Sequence, residues 1–141
     1  MAEDDEDDQF FFNRALKKIT IPTELTIIGD GESLLEYLRT KQKKLPDLLF
    51  LDVNMPRKNG LECLNEIKML DVIKEIPVII YSTSLNDSAV DEFFNAGAYC
   101  YLKKDVFQVL LPQLQSILTN LGEDNLKKNK RDQFVLSLKT H

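Results

Sequence analysis

No stretch of this chain approaches 18 consecutive apolar residues, which excludes a helical membrane span. The start, MAEDDEDDQFFF, is acidic and lacks the basic-then-apolar order of a secretory signal. Cysteine is scarce: Cys63 and Cys100 fit no metal-ligand spacing, and reduced thiols in a cytoplasmic protein are the plain expectation. A basic excess is missing as well. With 18 Lys and Arg against 23 Asp and Glu the formal charge is −5, whereas a duplex-binding domain carries a basic face. The positive runs KQKK (41–44) and KKNKR (127–131) are local and suit solvated surface, so neither nucleic acid nor membrane is an expected partner. No internal repeat is visible. What is present is 141 residues, 43% of them apolar, enough for one domain with a sizeable core.

The order of elements is informative. Phe12, Ala15, Leu16 and Ile19 recur at helical spacing behind a crowd of acids that suits a helix N-terminus. ELTIIGDG then reads as a short strand and turn, and residues 31–42 as a helix with Leu34, Leu35 and Leu38 inward. PDLLFLDVNMP carries an unbroken apolar run from Leu48 to Leu51 that stops at Asp52; IPVIIYSTS carries another. Such runs mark strands covered on both faces. Helices are expected over RKNGLECLNEIKML and NDSAVDEFFNAG, a strand over AYCYLKK, and a last helix from about Val106 to Leu121. Alternation of this kind predicts an α/β fold, a doubly wound parallel sheet with helices on both faces. In such folds functional groups collect at the carboxyl ends of the strands.

Those ends carry complementary chemistry. Asp52 ends one strand; a carboxylate there is either a cap or a placed reactive group. Glu3 and Asp4 precede the first helix, Ser82 follows VIIY and Lys104 follows YCYL. Three clustered carboxylates repel one another and call for a cation, and an all-oxygen set suits Mg²⁺. Asp52 is then a candidate nucleophile toward phosphorus, with Lys104 and Ser82 holding the phosphoryl oxygens. The bland alternative is a set of unrelated caps and surface charges.

Taken together, EDDEDDQFFFNRAL, PDLLFLDVNMPRKNGLE, IPVIIYSTS and AGAYCYLKK, in this order, resemble the receiver domain of two-component response regulators, the CheY-like fold. The likeness is greatest to small stand-alone receivers, including those paired with bacterial phytochromes, and runs from about residue 2 to 121. It implies a sheet of order 2-1-3-4-5. It also implies Asp52 as phosphoacceptor, and Glu3, Asp4, Asp52 and the backbone carbonyl of Asn54 as the Mg²⁺ site. Ser82 and Lys104 would contact the phosphoryl group, and Ser82 with Tyr101 would form a switch. Half-exposed strand packing is the plainer account of Tyr101. Pro56 and Gly60 match positions that shape the loop after the phosphorylation strand, and Met55 with the Asn54 side chain is expected at the site mouth.

Two departures stand out. Asp105 replaces the proline that usually follows the family's lysine. Since a non-proline cis bond costs roughly 2.5–4 kcal/mol, a trans bond is expected, with Asp105 a candidate N-cap for the last helix. Larger is the shortage before the acidic pair: only Met1 and Ala2 stand where the family has its central strand. A neighbour fills that slot, or the sheet rearranges, or the natural chain starts further upstream. FVLSL (134–138) has a strand's composition and is one candidate filler, from this chain or a partner by strand exchange; a packing segment elsewhere or a homodimer contact is the alternative.

The expected division is a receiver over 1–121 and a polar linker with a short apolar segment over 122–141. The expected activity is acceptance of a phosphoryl group from a phosphohistidine on a sensor kinase or phosphotransfer protein, with Mg²⁺-dependent autodephosphorylation. This is self-catalysed chemistry rather than conventional enzymology. Output is expected through protein binding at the face near strands four and five, since too few residues follow Leu121 for an output domain. The alternative is an interaction module that keeps the fold without accepting phosphate. A haloacid-type phosphatase is disfavoured because Asn54 stands where that class has an acid.

Overall fold

The computed structural model describes residues 1–40, 44–83, 86–122 and 134–136. Helix α1 spans Glu6–Lys17. The Asp5 carboxylate caps it by accepting from the Asp8 N–H at 3.0 Å. Acids fill its first turn and Arg14 and Lys17 its last, complementing the helix dipole. Helix α2 (Gly31–Arg39) is capped by Asp30, and α3 (Gly60–Lys68) by a reciprocal box between Asn59 and Glu62. Asn86 caps α4 (Asp87–Asn95), and α5 runs Phe107–Gly122.

Strands β1 (Leu49–Leu51), β2 (Val78–Ser82) and β3 (Cys100–Lys103) pair in parallel in that order. The apolar runs are continuous because helices cover both faces: β1 and β2 are buried at every position. Phe12 of α1 packs edge-on against Phe50, centroids 4.8 Å apart, and against Tyr81 at 5.5 Å. Such pairs contribute about 0.5–1.5 kcal/mol each beyond the area they bury.

The central slot is settled by only a few residues. Ala2 bridges in parallel to both Ile28 and Leu51. Its N–H donates to the Phe50 carbonyl at 2.8 Å, and its carbonyl accepts from the Asp52 N–H at 3.0 Å. On the other side the Glu3 N–H donates to Ile28, the Ile28 N–H to Met1, and the Met1 amine to Thr26. Met1–Glu3 thus occupies the carboxyl end of the slot. Below it lies a trench of about 810 Å³, lined by Leu16, Leu25, Tyr37, Leu38, Leu48 and Phe50 among others. The expected strand in ELTIIGDG is reduced to the bridge at Ile28: Met1–Glu3 reaches no further down the slot, and residues 21–26 line the trench instead of pairing as a strand.

The C-terminal segment is not the filler. Val135–Leu136 forms β4, which pairs in parallel with the outer edge of β3, Val135 opposite Tyr101 and Leu136 opposite Leu102. Its place is at the far edge of the sheet, three strands from the slot. A strand edge with unpaired backbone groups was open there, and Phe134 has an aromatic pocket beside it. The remainder of FVLSL, residues 137 and 138, lies outside the described residues.

Candidate functional site

Each site residue is delivered by the carboxyl end of a parallel element. Asp52 follows β1 and is buried, and Ser82 ends β2, also buried. Lys104 follows β3, its N–H donating to the Ser82 carbonyl at 2.7 Å. Glu3 follows the Ala2 bridge and is fully buried. Gln9 of α1 holds it by donating to the Glu3 carbonyl at 2.7 Å. Gly60 lets α3 start close behind β1, for a Cβ there would stand 2.4 Å from the Asp52 carbonyl oxygen.

Carboxylate oxygens of Glu3, Asp4 and Asp52 all lie within 4.8 Å of one another. The Lys104 ammonium sits 2.7 Å from Glu3 Oε1, 2.8 Å from Asp8 Oδ2 and 3.5 Å from Asp52 Oδ1. It also lies 5.3 Å from the centre of the Tyr81 ring, a cation–π distance. Asp52 Oδ1 accepts from the Val53 N–H at 2.9 Å. Three carboxylates, Glu3, Asp8 and Asp52, therefore surround one ammonium, and Asp4 joins Glu3 and Asp52 in the acid cluster.

The electrostatics follow from burial and crowding. Burial raises the Glu3 carboxyl to about 7, with the Lys104 ammonium opposing and Asp52 adding to the rise. Burial also raises Asp52, against the pull of Lys104. Lys104 would be lowered by burial, but the bonded Asp8 and Glu3 carboxylates, with Asp52, carry it above the ordinary lysine value. Glu3 Oε1 is buried with no aligned hydrogen bond. Three carboxylates with oxygens this close, two of them buried and sharing a single lysine, carry excess negative charge and fit a hard divalent cation, which takes oxygen ligands and keeps several waters. Among the described residues this is the one cluster of its kind.

The remaining expected residues fall into place unevenly. Asn54 is exposed beyond Asp52, lining a small cleft with Val53, Asn59, Leu61 and Phe93. Met55 is buried among core side chains rather than presented at an open mouth. Tyr101 is fully buried, not half-exposed. No peptide bond among the described residues is cis, so Lys104–Asp105 is trans. The Asp105 carboxylate accepts from the Val106 N–H at 2.7 Å, but α5 begins at Phe107, which places Asp105 one residue ahead of the cap position. Asp8 was missed: it reads as a first-turn acid of α1, and nothing local signals its bond to a lysine 96 residues away. Only the turn of α1 over the sheet end brings them together.

Comparison with known proteins agrees with this geometry. The model of the response regulator receiver domain matches residues 1–115. Response regulator Rcp1 of Synechocystis sp. is 35% identical over 108 residues, 74% of either chain. The crystal structure of the phosphorylated cyanobacterial phytochrome response regulator RcpA is 33% identical, with a TM-score of 0.73 over 92% of this chain and 93% of that one. The Mn²⁺-bound form of Rcp1 superposes with a TM-score of 0.71 at 31% identity, over 92% and 94% of the two chains. A parallel sheet wound on both faces, acids and a lysine at its carboxyl edge, and a family match across most of its length together make this chain a member of the response regulator receiver domain family.

Proposed function

We propose that Asp52 accepts a phosphoryl group from a phosphohistidine of a sensor kinase or phosphotransfer protein. One observation carries this: a buried Asp52 carboxylate lies within 4.8 Å of two further carboxylates and 3.5 Å from the partly buried Lys104 ammonium. Glu3, Asp4, Asp52 and the Asn54 carbonyl would hold Mg²⁺, which supplies charge neutralisation for the acids and for the phosphoryl oxygens. An Asp52 oxygen attacks phosphorus as the P–N bond breaks, and the imidazole departs with the bonding pair. Val53 N–H, bonded to Asp52 Oδ1, directs the other oxygen outward. Lys104 leaves its Glu3 and Asp8 partners for a phosphoryl oxygen, and the Ser82 hydroxyl is placed one strand away for another. Attack of water on phosphorus later returns Asp52 to the free acid.

Receiver domains act in two-component signalling, and this one is proposed to do so in the cytoplasm with output by protein binding at the β2–β3–α4 face. The competing reading, a module without phosphotransfer, needs Glu3 and Asp4 to be misplaced for want of a strand before them. The Ala2 bridges on both sides support Glu3 in register with Asp52 and count against that misplacement. Acetyl phosphate with Mg²⁺ is expected to add one phosphoryl mass to the wild type and none to Asp52→Asn. An unchanged wild-type mass sinks the proposal.

A further inference from the structure

The tail strand docks on the same strand that delivers Lys104. The Tyr101 N–H donates to the Phe134 carbonyl at 2.9 Å, three residues before Lys104. The Phe134 ring is fully buried, 5.2 Å from Phe94 and 6.4 Å from Tyr101 between ring centres. Tyr101 is in turn 6.1 Å from Phe93. Its ring is therefore walled by α4 on one side and by the tail on another. Tyr101 is paired with Ile80, and residues two apart on a strand share a face, so Tyr101 lies on the Ser82 face of the sheet. The tail thus touches β3, which pairs with β2 as far as Ser82, and α4, the helix that follows β2 in the chain.

We propose that residues 134–136 are a latch: their docking on β3 and the inward packing of Tyr101 form one two-state element, which phosphoryl loading of Asp52 favours and which favours loading in return. The proposal rests on Asp52 being the phosphoacceptor. The physical basis is shared structure. With the tail undocked, the Tyr101 amide loses its acceptor and its ring loses the Phe134 wall. The ring then has one wall fewer against swinging outward from its packed position, and β3 loses the edge pairing that steadies Lys104. Any ligand that requires Lys104 and Ser82 drawn to Asp52 binds the docked state better, and by linkage it tightens the tail to the same extent.

Beryllofluoride with Mg²⁺ serves as the phosphoryl probe on the full chain. Hydrogen exchange of the Tyr101, Val135 and Leu136 amides is expected to slow on loading. Phe134→Ala is expected to weaken beryllofluoride binding by about fivefold or more, and Phe134→Leu to recover most of it. A wild type that binds the probe with unchanged exchange at these amides, and a Phe134→Ala that titrates like it, overturns the latch and leaves the phosphoacceptor reading standing. A wild type that takes no beryllofluoride overturns both. Should Phe134→Ala fail to fold, the exchange comparison in the unaltered chain decides.

Discussion

Glu3→Gln isolates the cost of charge at the site. The Glu3 side chain is fully buried, and burial raises its carboxyl from 4.5 to about 7. A carboxyl raised on folding contributes most below its unfolded value and loses that contribution as pH climbs through the folded value. At ~1.4 kcal/mol per pH unit the interval from 4.5 to about 7 costs about 3 kcal/mol above neutrality. Glutamine keeps the shape and drops the charge. It gives up the 2.7 Å pair with Lys104, whose Asp8 and Asp52 partners remain. The net expectation at about pH 8 in EDTA is a gain of about 1–2 kcal/mol, or roughly 3–6 °C in Tm for a chain of this size. The gain should shrink as pH falls and vanish below 4.5, where Glu3 is protonated in both states. Denaturant unfolding at the two pH values, with EDTA and then with Mg²⁺, is the assay. Mg²⁺ should stabilise the wild type more than the variant. A variant weaker than wild type by the same amount at both pH values would refute the reasoning, because the loss would then be one of packing.

Three further outcomes are expected. Lys104→Met leaves Glu3 and Asp52 buried without their cation and should cost about 3–5 kcal/mol in EDTA at about pH 8; part should return with Mg²⁺, and a wild-type melt would contradict the pairing. Gly60→Ala drives a Cβ to 2.4 Å from the Asp52 carbonyl and 3.0 Å from Val53 Cα, which should cost about 2 kcal/mol or more and speed exchange of the Gly60 amide bonded to Val53. Asn59→Ala removes the capping box of α3 and should lower stability by about 1 kcal/mol with Mg²⁺ affinity unchanged; a loss of metal binding would tie the cap to the site.

The parallel sheet and its carboxyl-edge chemistry were legible because continuous apolar runs ending in Asp52, Ser82 and Lys104 report burial on both faces directly. Helices were legible from periodicity and caps, though α2 stops at Arg39 and α3 starts only at Gly60. Two features were not. The destination of FVLSL depended on which unpaired edge lay in reach, a tertiary fact that composition does not encode; β3 offered both a strand edge and a pocket for Phe134. Asp8 is one of six consecutive acids, and its contact with Lys104 exists only because α1 turns its first residues over the sheet end.

The central claim is that Asp52, and no other carboxylate of the acidic edge, takes the phosphoryl group with Mg²⁺. Proteolysis after acetyl phosphate treatment, followed by mass spectrometric localisation of the label, tests it most directly. The account predicts a phosphoryl group on Asp52 alone, not formed when EDTA replaces Mg²⁺ and labile to hydroxylamine as an acyl phosphate. A label on Glu3, Asp4 or Asp8, or one that forms equally well without Mg²⁺, would contradict it.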